Sequence, residues 1–111
     1  MRSEFRLRKS AEFERVRAER RVAADRLLRL QACPNLKGHP RIGITVSKRF
    51  GGAVQRNLVR RRLKAAAEVH LSSLSAVDLV LIPTPAAAAS SYAELVRALA
   101  GGLDRLAVVR Q

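Results

Sequence analysis

The sequence predicts an α+β fold built as one small domain, and three observations carry that reading. The chain has 111 residues, 48% of them hydrophobic, which suffices for one core and leaves too little for a second. Arg41–Ser47 alternates apolar and polar residues with the period of a strand. Ala53 to about Leu71 is a long helix-forming stretch without proline or glycine, and Val77–Ile82 follows it as a nearly continuous apolar strand. The predicted order is α-β-β-α-β-α, with a further strand placed near Val22–Leu28, in a single domain over residues 1–111.

Ser10 is expected to cap a short helix over Ala11–Arg20. Glu12 and Glu14 sit in its first turn, against the positive end of the helix dipole, and Phe13 and Val16 form its inward pair. Arg26–Ala32 places Leu28 and Leu30 on one side and Leu27, Arg29 and Gln31 on the other, as a strand does. Cys33–Pro40, with two prolines and Gly38, reads as a loop. In Arg41–Ser47, Ile42, Ile44 and Val46 share one face, while Arg41, Gly43, Thr45 and Ser47 share the other and are free to meet a ligand. Gly51-Gly52 ends that strand, and the helix from Ala53 follows. Pro83 closes Val77–Ile82, whose composition suits burial on both faces, and Pro85–Ser90 is an alanine-rich connector. Ser91-Tyr92-Ala93-Glu94 has the capping-box pattern, and Tyr92, Leu95, Val96, Leu99, Leu103 and Leu106 continue with helical spacing. Gly101 and Gly102 weaken that helix by about 1 kcal/mol each relative to alanine.

Charge points to the partner. The chain has 22 basic and 9 acidic residues, a net +13 whose self-repulsion favours a polyanion close by. Residues 1–64 hold 19 of the basic side chains and 5 of the acids, so the partner surface belongs to that part. Arginine outnumbers lysine 18 to 4. Its planar fork grips phosphate bidentately and stacks on bases, which suits structured RNA better than a diffuse membrane surface. On a helical wheel Arg56, Asn57, Arg60, Arg61 and Lys64 fall in one arc of about 140°. Val54, Leu58, Val59, Leu63, Ala66 and Val69 occupy the opposite side, which is expected to be buried, with Arg62 snorkelling at its edge. Lys48 and Arg49 extend the basic patch across the strand-to-helix turn. An ordinary solvated helix face mixes signs, whereas this one carries no acid before Glu68.

The inventory argues against a self-sufficient enzyme. His39 sits in the proline-flanked loop, His70 falls on the apolar side of the helix as a satisfied packing residue, and Cys33 is alone, so neither a triad nor a three-ligand zinc set assembles. Glu68, Asp78, Glu94 and Asp104 lie on separate elements without metal-binding spacing. One cysteine permits no intrachain disulfide, so a cytoplasmic setting is expected. The longest apolar runs, such as Leu79–Ile82 and Leu106–Val109, are short, and the first residues lack an apolar signal core, so neither export nor a membrane partner is expected.

The residues Val46-Ser47-Lys48-Arg49-Phe50-Gly51-Gly52-Ala53-Val54-Gln55-Arg56-Asn57-Leu58-Val59-Arg60-Arg61 resemble the signature segment of the bacterial ribonuclease P protein component, in which an Arg-Asn-Arg helix follows a Val-Ser-Lys-Lys strand end. Arg6-Leu7-Arg8-Lys9 with Phe13 and Val16 is similar to the family's opening, and Val77–Ile82 is similar to its last strand. The resemblance implies a fold like the second domain of ribosomal protein S5, with a left-handed β-α-β crossover, where general experience makes such crossovers right-handed in about 98% of cases. It also implies that Lys48, Arg49, Arg56, Asn57, Arg60, Arg61 and Lys64 face a catalytic RNA, the ribonuclease P RNA. Phe13, Arg17, Arg29, Arg41 and Thr45 would then border a cleft for the 5′ leader of precursor tRNA. Hydrolysis would fall to magnesium ions held by the RNA, with no catalytic residue, metal or cofactor on the protein and no obligate protein partner. Leu58, Lys64 and Ala65 depart from the motif and thin the patch, and Arg17 and Gln31 stand where the family usually places cleft aromatics. A ribosomal-type RNA-binding structural module explains charge and fold equally well, and only Val46–Arg61 separates the two readings.

Overall fold

The computed structural model describes residues 1–110. Its elements are α1 (Ser10–Glu19), β1 (Arg21–Ala24), β2 (Leu28–Pro34), β3 (Arg41–Ile44), α2 (Ala53–His70), β4 (Val77–Pro83) and α3 (Tyr92–Leu106), joined in part by short 3-10 turns. The four strands form one sheet in the order β1-β2-β4-β3. β2 pairs antiparallel with both β1 and β4, whereas β3 and β4 are parallel, with Ile42 opposite Leu79 and Ile44 opposite Leu81. The further strand placed near Val22–Leu28 is β1, and it turns into β2 at Asp25, whose Oδ1 accepts the N–H groups of Leu27 and Leu28 at 2.8 Å.

α2 and α3 cover one face of the sheet, where Leu28, Leu30, Leu79 and Leu81 bury against Val59, Leu63, Leu95, Leu99 and Leu103. α1 covers part of the other face with a smaller cluster of Leu7, Val16, Cys33 and Val80. The doubly covered strand is β4, which explains why its sequence is an apolar run rather than an alternation.

The hand of the β3-α2-β4 crossover follows from chirality. When an L-residue in a rising strand points its side chain at the viewer, its carbonyl points right. Leu81 points into the cluster shared with α2, and its carbonyl accepts the Thr45 N–H at 3.0 Å, so β3 lies to the right of β4 when seen from α2. A chain that rises in β3, descends in front through α2 and returns to the left in β4 makes a left-handed crossover. Gly51 ends the 3-10 turn at Lys48–Phe50 and leads into α2 with φ 153° and ψ −166°, a conformation essentially reserved for glycine.

Five expectations need correction. The strand expected over Arg26–Ala32 runs Leu28–Pro34, so Cys33 and Pro34, read as the start of a loop, pair with Asp78 and Val77 of β4. The strand expected over Arg41–Ser47 ends at Ile44, because after the Thr45 bond to Leu81 the chain leaves the sheet for a 3-10 turn at Lys48–Phe50. The first helix begins at Ser10, not after it, and Glu12 completes its start by accepting the N–H groups of Arg8 and Lys9 at 3.2 and 3.0 Å. α2 is rolled relative to its apolar arc: Val59, Leu63, Ala66 and Ala67 are buried, whereas Val54, Leu58 and Val69 are exposed, Val54 by 79%. His70 is not the satisfied packing residue expected, since its Nε2 is buried without a hydrogen-bond partner among the described residues.

α3 starts as its sequence indicates, with Ser91 Oγ accepting the Glu94 N–H and Glu94 Oε1 accepting the Ser91 N–H. Its two glycines differ. A β-carbon on Gly101 would only touch Arg105, whereas one on Gly102 would overlap Leu30, which is fully buried and cannot swing away. Gly101→Ala is therefore expected to raise stability by up to about 1 kcal/mol. Gly102→Ala is expected to lower it, because forced overlap in a packed core costs about 1–3 kcal/mol and outweighs the helix gain. Urea midpoints of the two variants read the difference, and shifts of the same sign would refute a packing role for Gly102.

Candidate nucleic-acid interface

The roll of α2 sets how its basic arc is presented. Asn57, Arg60 and Arg61 are exposed, Arg56 and Lys64 are half-buried, and Arg60 donates to Asn57 Oδ1 at 3.0 Å. Arg56 Nε has no partner among the described residues. Lys48 and Arg49 stand exposed on the 3-10 turn before Gly51. Among the described residues none of the cations at 48, 49, 56, 60, 61 and 64 has an acid within ion-pair distance. Glu68, the acid on the same helix, accepts from the Met1 α-amino group at 2.5 Å, which lowers its pKa and offsets its negative charge with the positive charge of the ammonium.

Asn57, Arg60, Arg61 and Lys64 form one wall of a groove of about 620 Å³, and the opposite side is made by Phe13, Ile42 and Gly43. The Phe13 ring reaches the sheet because Gly43 has no side chain: a β-carbon there would lie 2.5 Å from two ring carbons. The groove thus joins the basic face of α2 to the aromatic of α1 around the free edge of β3.

The rest of the expected leader cleft is dispersed. Arg29 and Thr45 lie on the sheet face that α1 only partly covers, near half-buried Gln31 and Ile82. Arg17 is exposed and pairs with Glu14 at 2.6 Å. Arg41 is committed elsewhere, with its side chain only 12% exposed. Its Nε and Nη2 fork onto the two oxygens of Asp78 at 2.8 and 2.7 Å, and its Nη1 meets Glu12 Oε2 at 2.5 Å. Arg15 also pairs with Asp78, and Asn35 Nδ2 donates to it at 2.8 Å. These bonds bolt α1 to the sheet and thereby fix where Phe13 sits.

The network shapes its own titration. Hydrogen bonds from the Lys9 and Arg8 amides, joined by Arg41, hold Glu12 down at about 2. Burial alone would raise Asp78, but hydrogen bonds from Arg41 and Asn35 outweigh it and the carboxyl sits below its ordinary value. Arg41 is raised in turn, chiefly by Asp78. Sequence reading missed this cluster, although one signal was present: an aspartate inside a doubly buried apolar strand requires a cationic partner. No group of three or more His, Cys, Asp or Glu suited to a metal ion occurs among the described residues, and no described helix is long and apolar enough to cross a membrane.

The ribonuclease P family profile, described as "Ribonuclease P", matches residues 1–107. The chain belongs to the ribonuclease P protein family. A ribonuclease P protein component of Chloroflexus aurantiacus is 40% identical over 97 residues, covering 86% of this chain and 72% of the relative. The Staphylococcus aureus RNase P protein superposes with a TM-score of 0.88 at 30% identity, covering 96% of this chain and 98% of that one. A second S. aureus structure, 31% identical with a TM-score of 0.88 over 95% of this chain and 90% of that one, is of a mutant with defective mRNA degradation activity. The mixed sheet and three helices are thus the fold of this family, and the chain is of the kind that serves as the protein component of ribonuclease P.

Proposed function

We propose that this chain binds the ribonuclease P RNA through α2 and holds the 5′ leader of precursor tRNA against α1 and the sheet, so promoting 5′-end maturation. One observation supports this above the others: a single groove lined both by Phe13 and by Arg60, Arg61 and Lys64, none of which has an acidic partner among the described residues. Cations neutralise phosphates, and an aromatic ring offers a stacking surface worth roughly 1–3 kcal/mol per base on single strands. Lys48, Arg49, Arg56 and Asn57 extend the RNA-facing side, while Arg29, Thr45 and Arg17 border the leader and Arg41 holds the cleft in shape. Magnesium ions bound by the RNA supply the hydrolytic chemistry, and the side chains here bind and orient.

The test is reconstitution. Added to a bacterial ribonuclease P RNA and precursor tRNA at low magnesium, the protein is expected to restore 5′ maturation, because its cations replace counterions that the RNAs otherwise need. No stimulation would overturn the reading. Protein alone, incubated with precursor tRNA and with an mRNA, is expected to cut neither, and cleavage of either would move the chemistry onto the protein.

A further inference from the structure

Arg6 and Leu7 lie along the outer edge of β3: Leu7 N–H donates to the Ile42 carbonyl at 3.0 Å, and Arg6 bridges Ile42 in parallel register. Arg6 is thereby a shared wall. On one side lies the groove described above, and on the other a second hollow of about 300 Å³ bordered by Arg8, Lys9, Lys37 and His39. The proposed function assigns this second hollow no role.

Two acids also face it, and both are committed. Glu12 is held by Arg41 and by the Arg8 and Lys9 amides, and Glu4 pairs with Arg2 at 3.2 Å. Arg41, the remaining cation on its wall, is held by Asp78 and Glu12. Arg6, Arg8, Lys9 and Lys37 have no acidic partner among the described residues. Their excess positive charge is therefore open to an outside ligand.

The hollow is also shaped in advance. Asn35 Nδ2 donates to buried Asp78 and to the His39 carbonyl at 2.8 and 3.1 Å, and its Oδ1 accepts the Lys37 N–H at 2.9 Å. The His39 ring packs edge-on against Phe5, with centroids 5.3 Å apart. The loop that carries Lys37 is thus tied to the same carboxylate that fixes α1, which lowers the ordering cost of binding.

Two cation-lined hollows with one arginine between them suit a ligand whose negative charge repeats along its length. We infer that one single strand of RNA occupies both hollows, passing Arg6, with its further phosphates on Arg8, Lys9 and Lys37. The inference rests on the groove being an RNA site and extends it over the N-terminal segment and the β2–β3 loop.

The experiment uses the full chain, single-stranded oligouridylates of about 4 to 16 nucleotides, the range of single-strand sites, and fluorescence anisotropy at several salt concentrations. Affinity of the unaltered protein is expected to climb with length and then level off. Arg8→Ala with Lys37→Ala, both exposed side chains outside the first groove, is expected to leave short strands unaffected and to level off at a shorter length. On long strands the salt slope should fall by about 0.7 for each phosphate that is no longer neutralised. Equal weakening at every length, or no weakening, overturns the proposal. So does inorganic phosphate binding that the double substitution abolishes while strands show no length step, which would assign the hollow to a free anion. Failure of reconstitution sinks the proposed function, whereas reconstitution without a length step sinks this inference alone.

Discussion

Asp78→Ala is expected to destabilise the protein by about 3–5 kcal/mol, because it leaves Arg41 buried with its main partner gone. Asp78 is wholly buried and receives Arg41, Arg15 and Asn35, so the loss also frees α1 and the β2–β3 loop from the sheet. For a chain of this size the melting temperature should fall by roughly 15 °C or more, read by circular dichroism. Asp78→Asn, which keeps an acceptor in place, should fall less. A loss below about 1 kcal/mol for the alanine variant would mean that the network contributes little to stability.

The same network sets a response to acid. Glu12 and Asp78 both have folded pKa values below their ordinary ones, so the unfolded chain binds protons first. Their stabilisation is present above about pH 4 and is lost as pH falls from there towards 2. The melting temperature is expected to drop through that window, and the drop should shrink in a Glu12→Gln variant. A curve of equal steepness in that variant would remove Glu12 from the explanation.

The second large effect is on RNA binding. Replacing Arg60, Arg61 and Lys64 together by alanine removes three cations from the groove wall without touching the core. Each phosphate left without its cation should flatten the salt dependence by about 0.9, which at physiological salt amounts to roughly a fivefold weaker affinity per phosphate and about a hundredfold for three. Stability should hold or rise slightly, because like charges are removed from a crowded face. Titrations of the catalytic RNA at several salt concentrations decide the matter: an unchanged slope would take α2 out of the interface.

By itself the sequence determined whatever is written in neighbouring residues or in a short period. The basic arc of α2, the capping box at Ser91 and the apolar run of β4 are of this kind, and each stands where its pattern put it. The family, too, was legible in Val46–Arg61. Only the tertiary structure decided which side of α2 turns inward, because α3, the sheet and the turn before Ser90 cover it together, leaving Val54 and Val69 outside and half-burying Arg56. It decided the place of Arg41 as well. An alternating strand shows that Arg41 and Gly43 share a face, but not that Asp78 lies 37 residues away on the adjoining strand. Charges that pair across the fold leave no periodic mark in the chain, since desolvation and Coulomb attraction act through space and depend on neighbours that only the packed sheet brings together.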